Sequence, residues 1–222
     1  MAAPPDLRVV SIGTLSSHPL WNEGPAARTG HATCSLIEAG DARILVDPGL
    51  PSVALGARLA ERSPRRPDEV THVFLTTFDL EHVRGLSLFE NAAWLLHEPE
   101  REPARARLEA QVDEGDETAR RLLELLERCE DAEDRLVPGV DLFPLPGVTP
   151  GTCGILLPLP SRTVLVAGDA VATIEHLRKA QVLPTVADVE QAKESFTEAI
   201  QIADEIVCGR DNLVVNPARA GY

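Results

Sequence analysis

Short apolar strands that stop at polar loops constrain this chain more than any other feature. Val73-Phe74-Leu75 runs directly into Thr76-Thr77-Phe78-Asp79-Leu80-Glu81-His82, with Arg84-Gly85 just beyond. Ile44-Leu45-Val46 stops at Asp47-Pro48-Gly49. Val164-Leu165-Val166-Ala167 stops at Gly168-Asp169, and Ile206-Val207-Cys208 stops at Gly209-Arg210-Asp211. Branched apolar runs bounded by turn formers predict strands. Acids, one His and one Arg lie just past their ends.

The rest of the chain fits around these strands. Leu7–Ile12, Ala93–His97, Asp141–Leu145 and Ile155–Leu157 read as further strands, and Ala32–Glu38 with Ala42–Val46 as a hairpin turning at Gly40-Asp41. Between the first two strands lies a long loop, Gly13–Gly30, holding Pro19, Gly24 and Pro25; long irregular loops in compact domains are often functional. Ser52–Arg62 has helical apolar spacing with Ser52 as N-cap. Helices are also predicted near Val83–Glu90, over Glu102–Arg128 with a break at Gly115, and over Val189–Asp204. Leu122, Leu123, Leu125 and Leu126 read as core contacts. Strands and helices in both halves predict two packed sheets with helices outside, in one domain spanning residues 1–222.

Bulk properties narrow the function classes. At 222 residues the chain can bury about 70% of its unfolded surface. Its net charge of −14 opposes phosphate backbones, so nucleic acid is not an expected partner. The cysteines, Cys34, Cys129, Cys153 and Cys208, form no CxxC pair and read as buried thiols of a cytoplasmic protein. The start, Met1-Ala-Ala-Pro-Pro-Asp6, lacks the pattern of a secretory signal. No apolar run is long enough to span a membrane, so no membrane partner is expected. One Met among abundant Ala, Leu, Arg and Val suggests a GC-rich bacterial genome. Trp21 and Trp94, with nearby apolar residues, leave room for a homodimer.

Five segments in order resemble the metallo-β-lactamase-fold superfamily. They are Ile44–Gly49, Thr76–His82, Leu145-Pro146-Gly147-Val148-Thr149-Pro150-Gly151, Val164–Asp169 and Ile206–Asp211. The resemblance implies an α/β fold, a four-layer αββα sandwich. It also implies a cleft where imidazoles and carboxylates hold zinc and leave a position open for water. Within that resemblance His82 and Asp169 match family ligands. Glu81 stands for an Asp and Asp79 for a His. Thr77, Val148 and Arg210 stand where the family has histidines and cannot replace them. Arg210 brings a fixed positive charge.

Three readings follow. In the first the site is metal-free, and Arg210 neutralises Asp79, Glu81 or Asp169. In the second Asp79, Glu81, His82 and Asp169 hold one divalent ion, such as Mn, Fe, Mg or Zn. In the third a dinuclear zinc site is assembled from elsewhere in the chain. His18 and His31 border the same rim as a candidate ligand or base, with Thr77, Val148 and Arg210 completing the pocket. The function implied by the first reading is a protein that binds a small molecule in the former active-site cleft. The alternative is a mononuclear metal-dependent hydrolase of esters, lactones or thioesters, with Glu81 and Asp169 as catalytic groups orienting a metal-activated water.

Overall fold

The computed structural model describes residues 3–219. Met1 and Ala2, where the reading of the leader began, lie outside them. The first sheet holds β1 (Asp6–Ser11), β2 (Cys34–Ala39), β3 (Ala42–Val46), β4 (His72–Leu75), β5 (Ala93–Leu96) and β6 (Glu130–Asp131), side by side in that order. The second holds β7 (Arg135–Val137), β8 (Val140–Pro144), β9 (Cys153–Leu159), β10 (Arg162–Gly168), β11 (Glu205–Cys208) and β12 (Leu213–Val215), again adjacent in chain order. The helices are α1 (Ser52–Arg62), α2 (Leu80–Val83), α3 (Glu98–Asp113), α4 (Glu117–Glu127), α5 (Ile174–Lys179) and α6 (Val189–Ile202).

Period-2 alternation distributes the strand side chains over three cores. Leu45, Val73 and Leu75 face α1, α3 and α4 in the first core. Ile44, Val46 and Phe74 point the other way and meet Ile155, Leu157, Val164, Val166 and Val207 between the sheets. Leu165, Ala167, Ile206 and Cys208 pack on Phe196 and Ala199 of α6 in the third. Three apolar seams separate four layers, so the architecture is the αββα sandwich. The strands leading into the polar loops carry apolar residues on both faces because each is covered on both sides.

Several elements differ from the sequence reading, each for a local reason. Pro51, not Ser52, caps α1; Ser52 is the first helical residue. The helix expected over residues 83–90 stops at Val83 and resumes as a 3-10 turn, Leu86–Phe89. Gly85 interrupts it: its N–H donates to the Pro48 carbonyl at 2.7 Å, and a Cβ there would lie 2.5 Å from the Leu50 carbonyl oxygen. α3 starts at Glu98, earlier than expected, because Pro99 is tolerated in a first turn and the helix absorbs Pro103. The break at Gly115 is real: Gly115 has φ +93°, and Asp116 then caps α4 through Thr118 N and Ala119 N. β6, β7 and β12 were not read from the sequence; at two or three residues each they are too short for periodicity to register. Leu122 and Leu126 are buried, while Leu123 and Leu125 are only partly so. Trp94, offered with Trp21 as a dimer face, is instead buried with its Nε1 donating to the Phe89 carbonyl, and the Arg128 guanidinium stacks 3.9 Å from its ring centre. Trp21 is exposed.

Candidate functional site

The polar loops converge at the carboxyl ends of β3, β4, β10 and β11. Backbone hydrogen bonds tie them together: Ala32 N to Glu81 O at 2.9 Å, Thr33 N to Gly209 O at 2.7 Å, and Cys153 N to Thr76 O at 3.0 Å. The long loop after β1 folds back on them through the Thr14–His31 bridge. A cleft of about 470 Å³ opens over this junction, with Thr77, Asp79, Glu81, Val148, Asp169 and Arg210 in its lining.

Arg210 is the centre of the site. It leaves β11 with its N–H bonded to the Ala172 carbonyl, and its side chain turns inward until only 6% of the residue is exposed. Its Nε donates to Asp169 Oδ1 at 2.8 Å and its Nη2 to Oδ2 at 2.7 Å, a two-pronged pair; Nη1 donates to Glu81 Oε2. Gly30 and Gly209 make room: a Cβ on Gly30 would meet Glu81 Oε1 at 2.3 Å, and one on Gly209 would meet Asp169 Oδ1 at 2.6 Å. Burial works against charge on Asp169, but the Arg210 guanidinium outweighs it and holds the carboxyl below its ordinary value.

A second cation lies behind the first. Asp79 caps α2, accepting from Glu81 N at 2.7 Å and His82 N at 3.2 Å, and its Oδ1 also meets His82 Nδ1 at 2.9 Å. His82 is fully buried. Burial alone would disfavour the imidazolium, but Asp79, then Asp47, push its pKa up to about 9. The same partnership, helped by Arg210, keeps the Asp79 carboxyl well below the usual range despite burial. Asp47, at φ +50°, accepts from Thr76 N and Thr76 Oγ1 at 2.9 and 2.7 Å, and burial raises its pKa to about 6. The junction therefore carries a guanidinium and an imidazolium against the carboxylates of Asp79, Glu81 and Asp169.

Asp79, His82 and Asp169 each offer a donor atom, all within 4.8 Å of one another, and form a partial metal-type triad. His82 Nε2 is buried, has no hydrogen-bond partner, and lies 3.8 Å from Asp169 Oδ2. The guanidinium, however, engages both Asp169 oxygens. A dication about 4 Å from that fixed charge would be opposed by roughly 8 kcal/mol at an effective dielectric of about 20. With Arg210 in this position both Asp169 oxygens are engaged, and an ion at the triad would compete with the guanidinium for them.

The remaining candidates divide. Thr77 and Val148 line the cleft, and Thr77 Oγ1 lies 3.3 Å from Thr152 Oγ1. His31 faces a different cavity, beside Val10, Ser11 and Leu50. His18 lies behind the cleft wall formed by its neighbours Ser16, Ser17 and Pro19. It stacks on Trp21 at 4.0 Å, and its Nε2 lies 3.2 Å from Thr173 Oγ1. The same hydroxyl meets His176 Nδ1 at 2.9 Å. Burial and then the nearby His18 bring the His176 pKa down to about 4.

Sequence reasoning missed Glu100 and Arg107 of α3. Glu100 is 1% exposed, accepts from Phe78 N at 3.0 Å and from the Thr149 hydroxyl, and so braces two site loops at once. Arg107 donates through Nη2 to the Phe78 carbonyl and lines the cleft. Both sit in a helix dense with Glu and Arg, where nothing in the sequence marks them.

A sequence profile of the metallo-beta-lactamase superfamily matches residues 27–209. No curated protein matches. Several hundred solved chains share the fold. A protein of Thermotoga maritima described as a metallo-beta-lactamase superposes with a TM-score of 0.70 at 20% identity, covering 96% of this chain and all of that one. A Staphylococcus aureus protein described as a metal-dependent hydrolase gives 0.74 at 15%, covering 99% and 95%. A variant of AiiA from B. thuringiensis, with N-decanoyl-L-homoserine bound at its active site, gives 0.67 at 21%, covering 95% and 94%.

Proposed function

The chain belongs to the metallo-β-lactamase superfamily, and from that premise we propose that it is a small-molecule binding protein whose cleft has exchanged dinuclear zinc chemistry for a buried arginine. The supporting observation is the position of Arg210. Its guanidinium, paired with the buried Asp169 and the partly exposed Glu81, supplies positive charge among the carboxylates of the cleft. The His82 imidazolium adds a second charge. A cavity of about 470 Å³ above the pair is the size of a small-ligand pocket. One domain spanning residues 1–222 carries this function, and its ligand is a small molecule rather than nucleic acid, in keeping with the net charge of −14. Four buried free thiols suit the cytoplasm.

One observation favours a second reading. The unpartnered His82 Nε2 and the triad it shares with Asp79 and Asp169 suit one ion, were Arg210 to swing away. The protein would then be a mononuclear hydrolase of esters, lactones or thioesters, with Glu81 and Asp169 placed to orient water.

Elemental analysis of protein purified without chelator separates the two readings. The binding reading expects no stoichiometric metal and no change in melting temperature on adding zinc, manganese or EDTA. A stoichiometric metal that disappears in His82→Ala would overturn it.

A further inference from the structure

Two guanidinium groups line the cleft, and they differ in one respect. Arg210 has its Nε and both terminal nitrogens committed to Asp169 and Glu81. Arg107 makes one hydrogen bond, from Nη2 to the Phe78 carbonyl, and no ion pair among the described residues. This chain holds 35 acidic residues against 21 Lys and Arg, so a cation without a direct acidic partner at a cleft wall is notable. Arg107, with the buried Glu100 as its electrostatic neighbour, keeps its guanidinium free of a direct ion pair at the wall of a concave site.

We propose that the cleft takes a small organic carboxylate and that Arg107 binds its charged end; this rests on the reading of the cleft as a binding pocket. A guanidinium has five N–H donors, and Arg107 uses one on Phe78, leaving an edge free for a planar oxyanion. That one bond also orients it, because Phe78 is itself fixed by Glu100 through its N–H. Leu15, Pro19, Val148, Leu183 and Pro184 supply the apolar wall for the rest of the ligand. Asp79 and Glu81 line the same cleft and oppose a second negative charge, which favours a monoanionic carboxylate over a phosphate.

Calorimetric titration of the full chain with hexanoate, hexanamide and hexyl phosphate tests this. Hexanoate is expected to bind about ten- to a hundredfold more tightly than hexanamide, the range for hydrogen bonds to a charged group. In Arg107→Gln that ratio is expected to fall to about one, with a circular dichroism spectrum and melting temperature like those of the unmodified protein showing the fold intact. If Arg107→Gln loses both ligands, Arg107→Lys must restore the preference for hexanoate, or the proposal fails. Equal binding of acid and amide by the unmodified protein overturns the carboxylate assignment and leaves the binding pocket standing. Tighter binding of hexyl phosphate overturns the carboxylate assignment in the same way. Failure of all three ligands to bind overturns both the assignment and the pocket.

Discussion

Replacing Arg210 by Met keeps most of the side-chain volume and removes the charge. Asp169 is 6% exposed, so it would be left buried without its hydrogen-bonded counter-charge, with only the more distant His82 ring at 3.8 Å. Exposed ion pairs contribute about 0–1 kcal/mol. Removing one partner of a buried pair costs about 3–5 kcal/mol, because the survivor keeps its desolvation penalty. The two-pronged geometry at 2.7 and 2.8 Å, with a third contact to Glu81, places Arg210 in the second class. In a chain of this size each kcal/mol moves the melting temperature by about 2–4 °C, so Arg210→Met is expected to lower it by about 6–20 °C. Urea unfolding followed by circular dichroism gives the free energy directly. Asp169→Asn closes a double-mutant cycle: each single variant leaves its survivor only the weaker neighbour, His82 for Asp169 and Glu81 for Arg210, and the double variant removes both sides of the pair, so the double should cost clearly less than the sum of the singles. A loss below about 1 kcal/mol for Arg210→Met, or additivity in the cycle, would refute the charge-replacement argument.

Two further outcomes follow from groups beside the cleft. Glu100→Ala removes the acceptor for Phe78 N and the Thr149 hydroxyl and should cost at least about 2 kcal/mol in urea unfolding, whereas Glu100→Gln keeps an acceptor and should cost less; equal costs would show that the brace is only packing. His176 titrates near 4 in the folded protein and near 6.5 when unfolded, so its contribution to stability is complete above pH 6.5. That contribution is lost as pH falls toward 4, by up to about 3 kcal/mol. Comparison with His176→Asn across that interval isolates it, and parallel pH profiles for the two proteins would rule it out.

The strands and their polar ends were legible because each strand is covered on both faces and ends in residues that cannot continue it. Ile44–Val46 and Val164–Ala167 announce themselves in this way. The pairing of Arg210 with Asp169 was also within reach, since both leave neighbouring strand ends. What escaped were residues whose role depends on distant backbone. Glu100 looks like any surface acid in a polar helix until Gly151 lets the 145–152 turn close on it: a Cβ at Gly151 would lie 2.0 Å from Glu100 N. His18, expected at the rim, is drawn behind the wall by Thr173, which lies 155 residues further along the chain. The helix expected at 83–90 failed because Gly85 answers to the Pro48 carbonyl rather than to its own helical neighbours.

The contact between Arg210 and Glu81 closes a loop of 129 residues. Every strand of the first sheet precedes residue 132 and every strand of the second follows residue 134, so each half can build its own sheet from nearer partners. Of the three contacts of Arg210, the two to Asp169 lie within the second half and only the one to Glu81 crosses between halves, and a contact that closes so long a loop is expected to form late. An interaction absent from the folding transition state acts on the unfolding rate. The Arg210–Glu81 contact is therefore expected to act more on how long the closed sandwich persists than on how fast it forms.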